Sequence, residues 1–252
     1  MSEESVSATE GIEEFLSSGD RSLELLFGSQ SGNAEGLAAK FAKTAKSYGL
    51  EGTVHDMDGF DFNSLSSKKR VIIVCSTWGE GEQPDNAEEL WKFANSDAAS
   101  RLEGVHFAVC ALGDTSYELF CESGKEWDSI FEKLGATRIV ERIDCDVDYD
   151  SPASEWALKA LPALAAVDSS GNFMEEMVDG ITDYASGSSA VAGGEDGFVV
   201  PTIETEAIQV ELSVFRFDPS TNSTGRDSWA CSLPGHISIL SALRAIKAVS
   251  YT

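Results

Sequence analysis

Between Ser22 and Val167 short apolar runs alternate with segments whose apolar residues recur at helical spacing. Leu23–Phe27 (LELLF) is closed by Gly28, and Val71–Cys75 (VIIVC) is a β-branched run of the kind buried on both faces of a sheet. Gly52–His55, Val105–Leu112 and Arg138–Asp144 complete a set of five predicted strands. Asn33–Tyr48 carries Leu37, Ala38, Phe41 and Ala45 on one face and ends before Gly49, a natural residue just past a helix terminus. Asn86–Asn95 has Glu88 and Glu89 in its first turn and Leu90, Trp91 and Phe93 for the core. Gly124–Leu134 carries Trp127, Ile130, Phe131 and Leu134 and stops at Gly135. Ser151-Pro152 opens a fourth helix that runs through Trp156 and Leu161 until Pro162 disturbs it. Strands and helices in alternation predict an α/β fold, a doubly wound parallel sheet with helices on both sides. Ligands of such sheets sit at the carboxyl ends of the strands, which directs attention to the loops after Phe27, Cys75 and Leu112.

From Ser169 to Asp196 the texture changes. Gly, Ser and Ala accumulate, and six acids appear with no Lys or Arg, which predicts a flexible linker. Ile208–Phe217 then alternates like a strand, Ser228–Leu233 is a candidate return strand, and Ile237–Ala248 has a helical apolar face. The expected organisation is an acidic extension (1–20), one α/β domain (21–168), a linker (169–200) and a C-terminal segment (201–252). A hairpin with one helix is too little to fold securely alone.

The chain of 252 residues has 18 Lys and Arg against 43 Asp and Glu, a net charge of −25. Such a surface repels nucleic acid and anionic membranes, which removes both as main partners. No apolar run is long enough to span a bilayer, and the acidic MSEESVSATEGIEEF start lacks the apolar stretch of a secretory signal. Cys75, Cys110, Cys121, Cys145 and Cys231 are scattered, with no C-x-x-C pair, which fits reduced thiols in the cytoplasm. His55, His106 and His236 are isolated, so no metal site is expected.

Gly28-Ser29-Gln30-Ser31-Gly32-Asn33 joins the first strand to its helix. Two glycines let the backbone curl so that several N–H groups converge at the helix N-terminus, where two hydroxyls add donors. The loop lacks the lysine of a triphosphate-binding loop and the dinucleotide glycine pattern. It suits a monophosphate held without a cation, or an ordinary Ser-rich helix cap. Ser76-Thr77-Trp78-Gly79-Glu80-Gly81-Glu82 offers a ring for a flat ligand and two glycines for close approach, or else a turn whose Trp folds back on the core. Gly113-Asp114-Thr115-Ser116-Tyr117-Glu118-Leu119-Phe120-Cys121 brings a second ring, with Phe120 as anchor and Asp114 as a turn residue. Cys121 has no neighbouring His or Lys to make it a nucleophile.

Ser29–Glu35 (SQSGNAE), Ser76–Ala87 (STWGEGEQPDNA) and Leu112–Phe120 (LGDTSYELF) resemble the three FMN loops of flavodoxin-like domains in the NADPH–sulfite reductase flavoprotein and diflavin reductase family. The likeness continues through Cys121–Trp127 and Asp144–Trp156 and covers about residues 20–168. It implies a flavodoxin-like five-stranded sheet of order 2-1-3-4-5 with FMN at its carboxyl edge. Ser29, Gln30, Ser31, Gly32, Asn33 and Ala34 would surround the phosphate. Ser76, Thr77, Trp78, Gly79, Glu80 and Gly81 would line one side of the flavin, and Leu112, Gly113, Asp114, Tyr117, Phe120 and Cys121 the other. Trp78 stands where a Tyr or Gln is the family's habit. The resemblance also implies that Gly79 turns a carbonyl toward the flavin N5–H.

The mechanism so implied is the shuttling of single electrons, with no catalytic acid, base or nucleophile in the protein. The partners so implied are an NAD(P)H-dependent reductase as donor and an iron–sulfur or heme protein as acceptor. Glu80, Glu82 and Asp85 either dock a basic acceptor or form a solvated acidic rim. The FAD- and NADPH-binding portion of diflavin reductases does not follow. Instead Val210–Pro219 and Ile239–Lys247 resemble the first hairpin and helix of the [2Fe–2S] β-grasp domain of the succinate dehydrogenase or fumarate reductase iron–sulfur subunit. The cluster cysteines expected after that helix are not reached before Thr252, so the chain is expected to be a fragment of a longer reading frame. The alternatives are a flavoprotein component of an NADPH–sulfite reductase type enzyme and a flavin-free scaffold of the same fold. A signalling receiver would want paired acids after the first strand, where Gly28-Ser29 stand.

Overall fold

The computed structural model describes residues 11–191, 207–218 and 223–234. The chain divides into two compact units, Met1–Phe198 and Val199–Thr252. The first unit runs from a helix at residues 11–17 (α1) into β1 (Ser22–Gly28), α2 (Asn33–Ala45), β2 (Glu51–Asp56) and β3 (Arg70–Ser76). It continues through α3 (Asp85–Ala94), β4 (His106–Leu112), α4 (Glu122–Lys133), β5 (Thr137–Arg138), β6 (Ile143–Cys145), α5 (Asp150–Ala165) and α6 (Val178–Val191). The strands pair in parallel in the order β2-β1-β3-β4-β5, and β6 also pairs with β4. The expected sheet order is the observed one.

Alternation along the central strands divides the core in two. Leu25, Phe27, Ile72, Val74, Ala108 and Cys110 face α2 and α5, where Leu37, Phe41, Trp156 and Leu161 are buried. Leu26, Val71, Ile73, Cys75, Phe107 and Val109 face α3 and α4, against Leu90, Trp127, Ile130 and Phe131. Trp91 and Phe93, expected in the core, are half-buried and pack at its margin. Gly49 has φ 67, the left-handed turn that ends the α2 segment.

Three expectations are corrected. Arg138–Asp144 is two short strands rather than one, because the register advances three positions on β4, from Phe107 to Cys110, against five on the edge chain, from Arg138 to Ile143. The extra residues loop out where Arg138 and Arg142 converge on Asp128 of α4, at 2.7 and 2.8 Å. Pro162 lies inside α5 and does not end it. The bond it forgoes is the one to the carbonyl of Leu158, an exposed residue of the same helix. The stretch expected as a linker contains α6, which buries Ile181 and Ala185, four residues apart, in the α2–α5 side of the core. Leu16 of α1 is buried in the same cluster, and a Cβ on Gly180 would lie 2.9 Å from the Ile12 side chain.

In the second unit β7 (Ala207–Asp218) and β8 (Ser223–Pro234) form an antiparallel pair, with Ala207 opposite Pro234 and Asp218 opposite Ser223. Both expected strands are present. The helix expected over Ile237–Ala248 lies outside the described residues. Among the described residues no helix is long and apolar enough to cross a membrane.

The amino end of the sheet is locked by two buried arginines. Arg70 donates to the carbonyls of Leu164 (3.1 Å), Asp20 (3.0 Å), Ser22 (3.3 Å) and Val167, and Arg21 donates to Ala165 (2.7 Å). The cations thus meet the carbonyls at the C-terminus of α5, where the helix dipole favours positive charge. Burial, and then the charge of Arg70, bring the Arg21 guanidinium down to about 10. Replacing Arg70 by Met leaves several buried carbonyls unpaired and is expected to cost about 3 kcal/mol, read as a lower midpoint in urea unfolding. His106, paired in register with Arg70, is buried, and its Nδ1 has no partner. Burial, then Arg70, hold its imidazole below its ordinary 6.5, so the folded chain keeps it neutral while the unfolded chain takes up a proton. Stability is therefore expected to fall as pH drops below about 6.5. Urea midpoints across pH 5–7 should flatten in His106→Gln; an unchanged slope would contradict this assignment.

Candidate cofactor site

The loops after β1, β3 and β4 and the segment after β6 enclose a cleft of about 490 Å³ at the carboxyl edge of the sheet. Gly32, with φ 84, stands at the N-cap of α2. The Ser29 hydroxyl oxygen accepts the amides of Gly32 (3.0 Å) and Ala34 (3.3 Å), folding the turn around itself. The Ser29 amide is taken by the Asn86 side chain at 2.8 Å, and Asn86 also donates to the Phe27 carbonyl and to Asp56. The Gln30 and Asp85 pair reciprocally, at 2.9 and 3.1 Å. The amides of Gln30, Ser31 and Asn33 donate to no acceptor among the described residues. They stand free at the positive end of α2.

The second loop is a small hairpin. Trp78 and Glu82 exchange backbone bonds of 2.9 and 2.8 Å around a tip in which Gly79 and Gly81 take positive φ. Ser123 at the start of α4 pins its base, donating its hydroxyl to the Glu82 carbonyl and its amide to the Thr77 hydroxyl. Buried Gln83 adds bonds to Glu126 and from Trp127.

The third loop is tied to the segment after β6. Gly113 donates its amide to the Cys145 carbonyl at 2.9 Å, and Thr115 donates both its amide and its hydroxyl to Asp146. A Cβ on Gly113 would meet the Cys121 amide at 2.7 Å, so only glycine lets the chain double back there. Cys121 adopts φ 57, the one positive value among the described non-glycine residues, and its thiol donates to the Cys145 carbonyl at 3.6 Å. Burial, then the charges of Asp144 and Cys145, push that thiol up to about 12, which keeps it protonated and unreactive. Cys75 is likewise pushed up by burial.

Of the residues expected at the site, Gln30, Ser31, Asn33, Ser76, Thr77, Trp78, Gly79, Leu112, Gly113, Asp114, Tyr117, Phe120 and Cys121 line the cleft. Ser29 and Gly32 shape the first turn without lining it, Ala34 is buried beneath it, and Glu80 and Gly81 sit at the hairpin tip. Leu119, Val147 and Tyr149 also line the cleft and were not expected there, although each lies inside or beside a stretch that carries the family resemblance. Trp78 is 53% exposed and Tyr117 55%, which rules out the reading of a Trp folded back on the core. The lining residues include the Asp114 carboxylate and no Lys, Arg or His. The cleft therefore offers two solvent-facing rings, close backbone approach and main-chain donors for an anion.

The Flavodoxin family matches residues 25–160 of this chain. The chain is 46% identical over 153 residues to the sulfite reductase (NADPH) flavoprotein alpha-component of Vibrio parahaemolyticus, covering 61% of this chain and 25% of that protein. It is 46% identical over 144 residues to the namesake in Bacillus subtilis, covering 57% of this chain and 24% of that protein. It thus spans about a quarter of the length of these curated relatives. A flavodoxin of Pseudomonas aeruginosa superposes with a TM-score of 0.51 at 27% identity, over 57% of this chain and 98% of that one. The chain therefore belongs to the flavodoxin family and is an FMN-binding electron-transfer module.

Proposed function

We propose that the FMN phosphate is gripped by the free amides of Gln30, Ser31 and Asn33 while Trp78 and Tyr117 flank the isoalloxazine. The observation that supports this reading is the conjunction of unpaired main-chain donors at a helix N-terminus with two exposed rings along one cleft. Gly79 and Gly113 permit tight turns in the cleft walls, since a Cβ at either would meet the Glu82 carboxylate or the Cys121 amide. Bound FMN supplies the one-electron chemistry. The chain binds it, orients it between the rings and shields one edge from water. With no cation among the lining residues, charge balance falls to the helix dipole and the amides.

The electron donor in this reading is an NAD(P)H-dependent reductase and the acceptor an iron–sulfur or heme protein, met through complementary surfaces around the cleft. The FMN domain of this reading extends beyond residues 21–168 to take in α1 and α6, whose Leu16, Ile181 and Ala185 are buried in its core, and the sequence of residues 201–252 resembles the start of a [2Fe–2S] domain. The alternative is that the chain serves as the flavoprotein component of an NADPH–sulfite reductase type enzyme, which the identity to those relatives favours. Stopped-flow mixing of the reduced protein with either a sulfite reductase hemoprotein or a [2Fe–2S] protein separates the two, since the true acceptor is reduced the faster.

Purified protein should show flavin absorption bands, release FMN rather than FAD on acid treatment, and take up electrons stepwise from dithionite. A colourless protein that takes up no FMN would overturn the reading. Trp78→Ala removes one stacking surface and is expected to raise the FMN Kd about tenfold, measured by fluorescence quenching. Asn86→Ala unties the Ser29 amide and the Phe27 carbonyl, and should likewise weaken FMN about tenfold while lowering stability by about 1 kcal/mol. An Asn86→Ala protein of native affinity would show that the turn needs no external tie.

A further inference from the structure

Gln83 follows the second loop directly, and its buried side chain reaches four groups. Its Oε1 accepts the indole N–H of Trp127 at 2.9 Å and the thiol of Cys75 at 3.6 Å. Its Nε2 donates to Glu126 Oε2 at 2.8 Å and to the Ser123 carbonyl at 3.4 Å. An indole N–H only donates and an ionised carboxylate only accepts, so the amide can face one way alone. Trp127 is fully buried and packs edge-on against Trp91 and Phe131, with ring centroids 5.2 and 6.2 Å apart. Ser123, one helical turn before it, gives its amide to the Thr77 hydroxyl and its own hydroxyl to the Glu82 carbonyl. Both arms of the Trp78–Glu82 hairpin are thus fastened to the first turns of α4. The third loop runs straight into the same helix: Tyr117, Phe120 and Cys121 line the cleft, and Cys121 is the N-cap of α4. One element therefore anchors both walls, and the slot between Trp78 and Tyr117 is set from it.

We propose that Gln83 is a positioning residue for the ring half of the cofactor: it ties the returning arm of the second loop to Glu126 and Trp127, fixes the slot between Trp78 and Tyr117, and governs affinity for the isoalloxazine independently of the phosphate. The inference rests on the FMN reading above. Gln83 does not line the cleft, so it acts through the loop and touches no ligand. None of its four partners belongs to the phosphate turn, which is held by Asn86 instead. A wall fixed before the ligand arrives loses less freedom on binding, which tightens the complex without a new contact.

Gln83→Met keeps the length of the side chain and removes its donor and acceptor. It should raise the Kd of riboflavin and of FMN alike by about tenfold, measured by fluorescence quenching where circular dichroism shows the variant folded. The ratio of the two Kd values should stay native, whereas Asn86→Ala, which loosens the phosphate turn, should change it. In ligand-free protein the amides of Trp78 and Glu82, which bond each other's carbonyls, should exchange with solvent deuterium about tenfold faster in Gln83→Met. Gln83→Glu sets a carboxylate against Glu126 and should weaken riboflavin at least as much. Adding Glu126→Gln swaps donor and acceptor, and should return the riboflavin Kd to within about threefold of native. Unchanged riboflavin affinity in Gln83→Met, a loss confined to FMN, or a swapped pair no better than Gln83→Glu alone would overturn the proposal and leave the FMN reading standing. A native protein that binds neither ligand would overturn both.

Discussion

In the proposed reading a dianionic phosphate is held by main-chain N–H groups alone, and that is the constraint on which the rest of the site depends. Backbone donors are weak individually and must point at one spot together, so the turn between β1 and α2 has to be held rigid from outside. The N-terminal residues of α3 do this. Asn86 occupies the Ser29 amide, and Asp85 pairs both ways with Gln30. These ties leave the amides of Gln30, Ser31 and Asn33 as the donors with nothing of their own to bond. A lysine at this turn would bring charge without demanding such order, and none lines the cleft.

The same arrangement repeats around the carboxyl edge of the sheet, where each loop is fastened by an element that does not contain it. Ser123 and Gln83 fasten the second loop to α4, and Asp146 fastens the third to the chain after β6. The strained, glycine-rich geometry of these loops is tolerated because the scaffold below is dry and closely packed on both faces. The buried arginines at the opposite edge close the scaffold by binding the last turn of α5 back to β1.

The central strands were legible in the sequence because burial on both faces leaves unbroken apolar runs such as Val71–Cys75. The three loops were legible because hydroxyls, glycines and a ring directly after such a run have few structural uses. What escaped prediction depends on contacts distant in the chain. The edge strand splits where two arginines reach Asp128 on another element, a distortion with no local signal. The helix α6 was hidden because its buried stripe is short, Ile181 and Ala185, amid Gly, Ser and Asp. Val147 and Tyr149 reach the cleft from a segment that periodicity reads as the approach to a helix. The ties made by Asn86 and Ser123 are single side-chain bonds to backbone, which leave no pattern to find.

The most direct test of the main-chain grip is a calorimetric comparison of FMN with riboflavin, the same ring system lacking only the phosphate. The account predicts that the ligand-free protein binds FMN at least about a hundredfold more tightly, a difference of about 2.7 kcal/mol, with most of that difference retained in high salt because the donors are dipoles at close range rather than distant charges. Equal affinity for the two ligands would place the binding energy in the rings alone and contradict it.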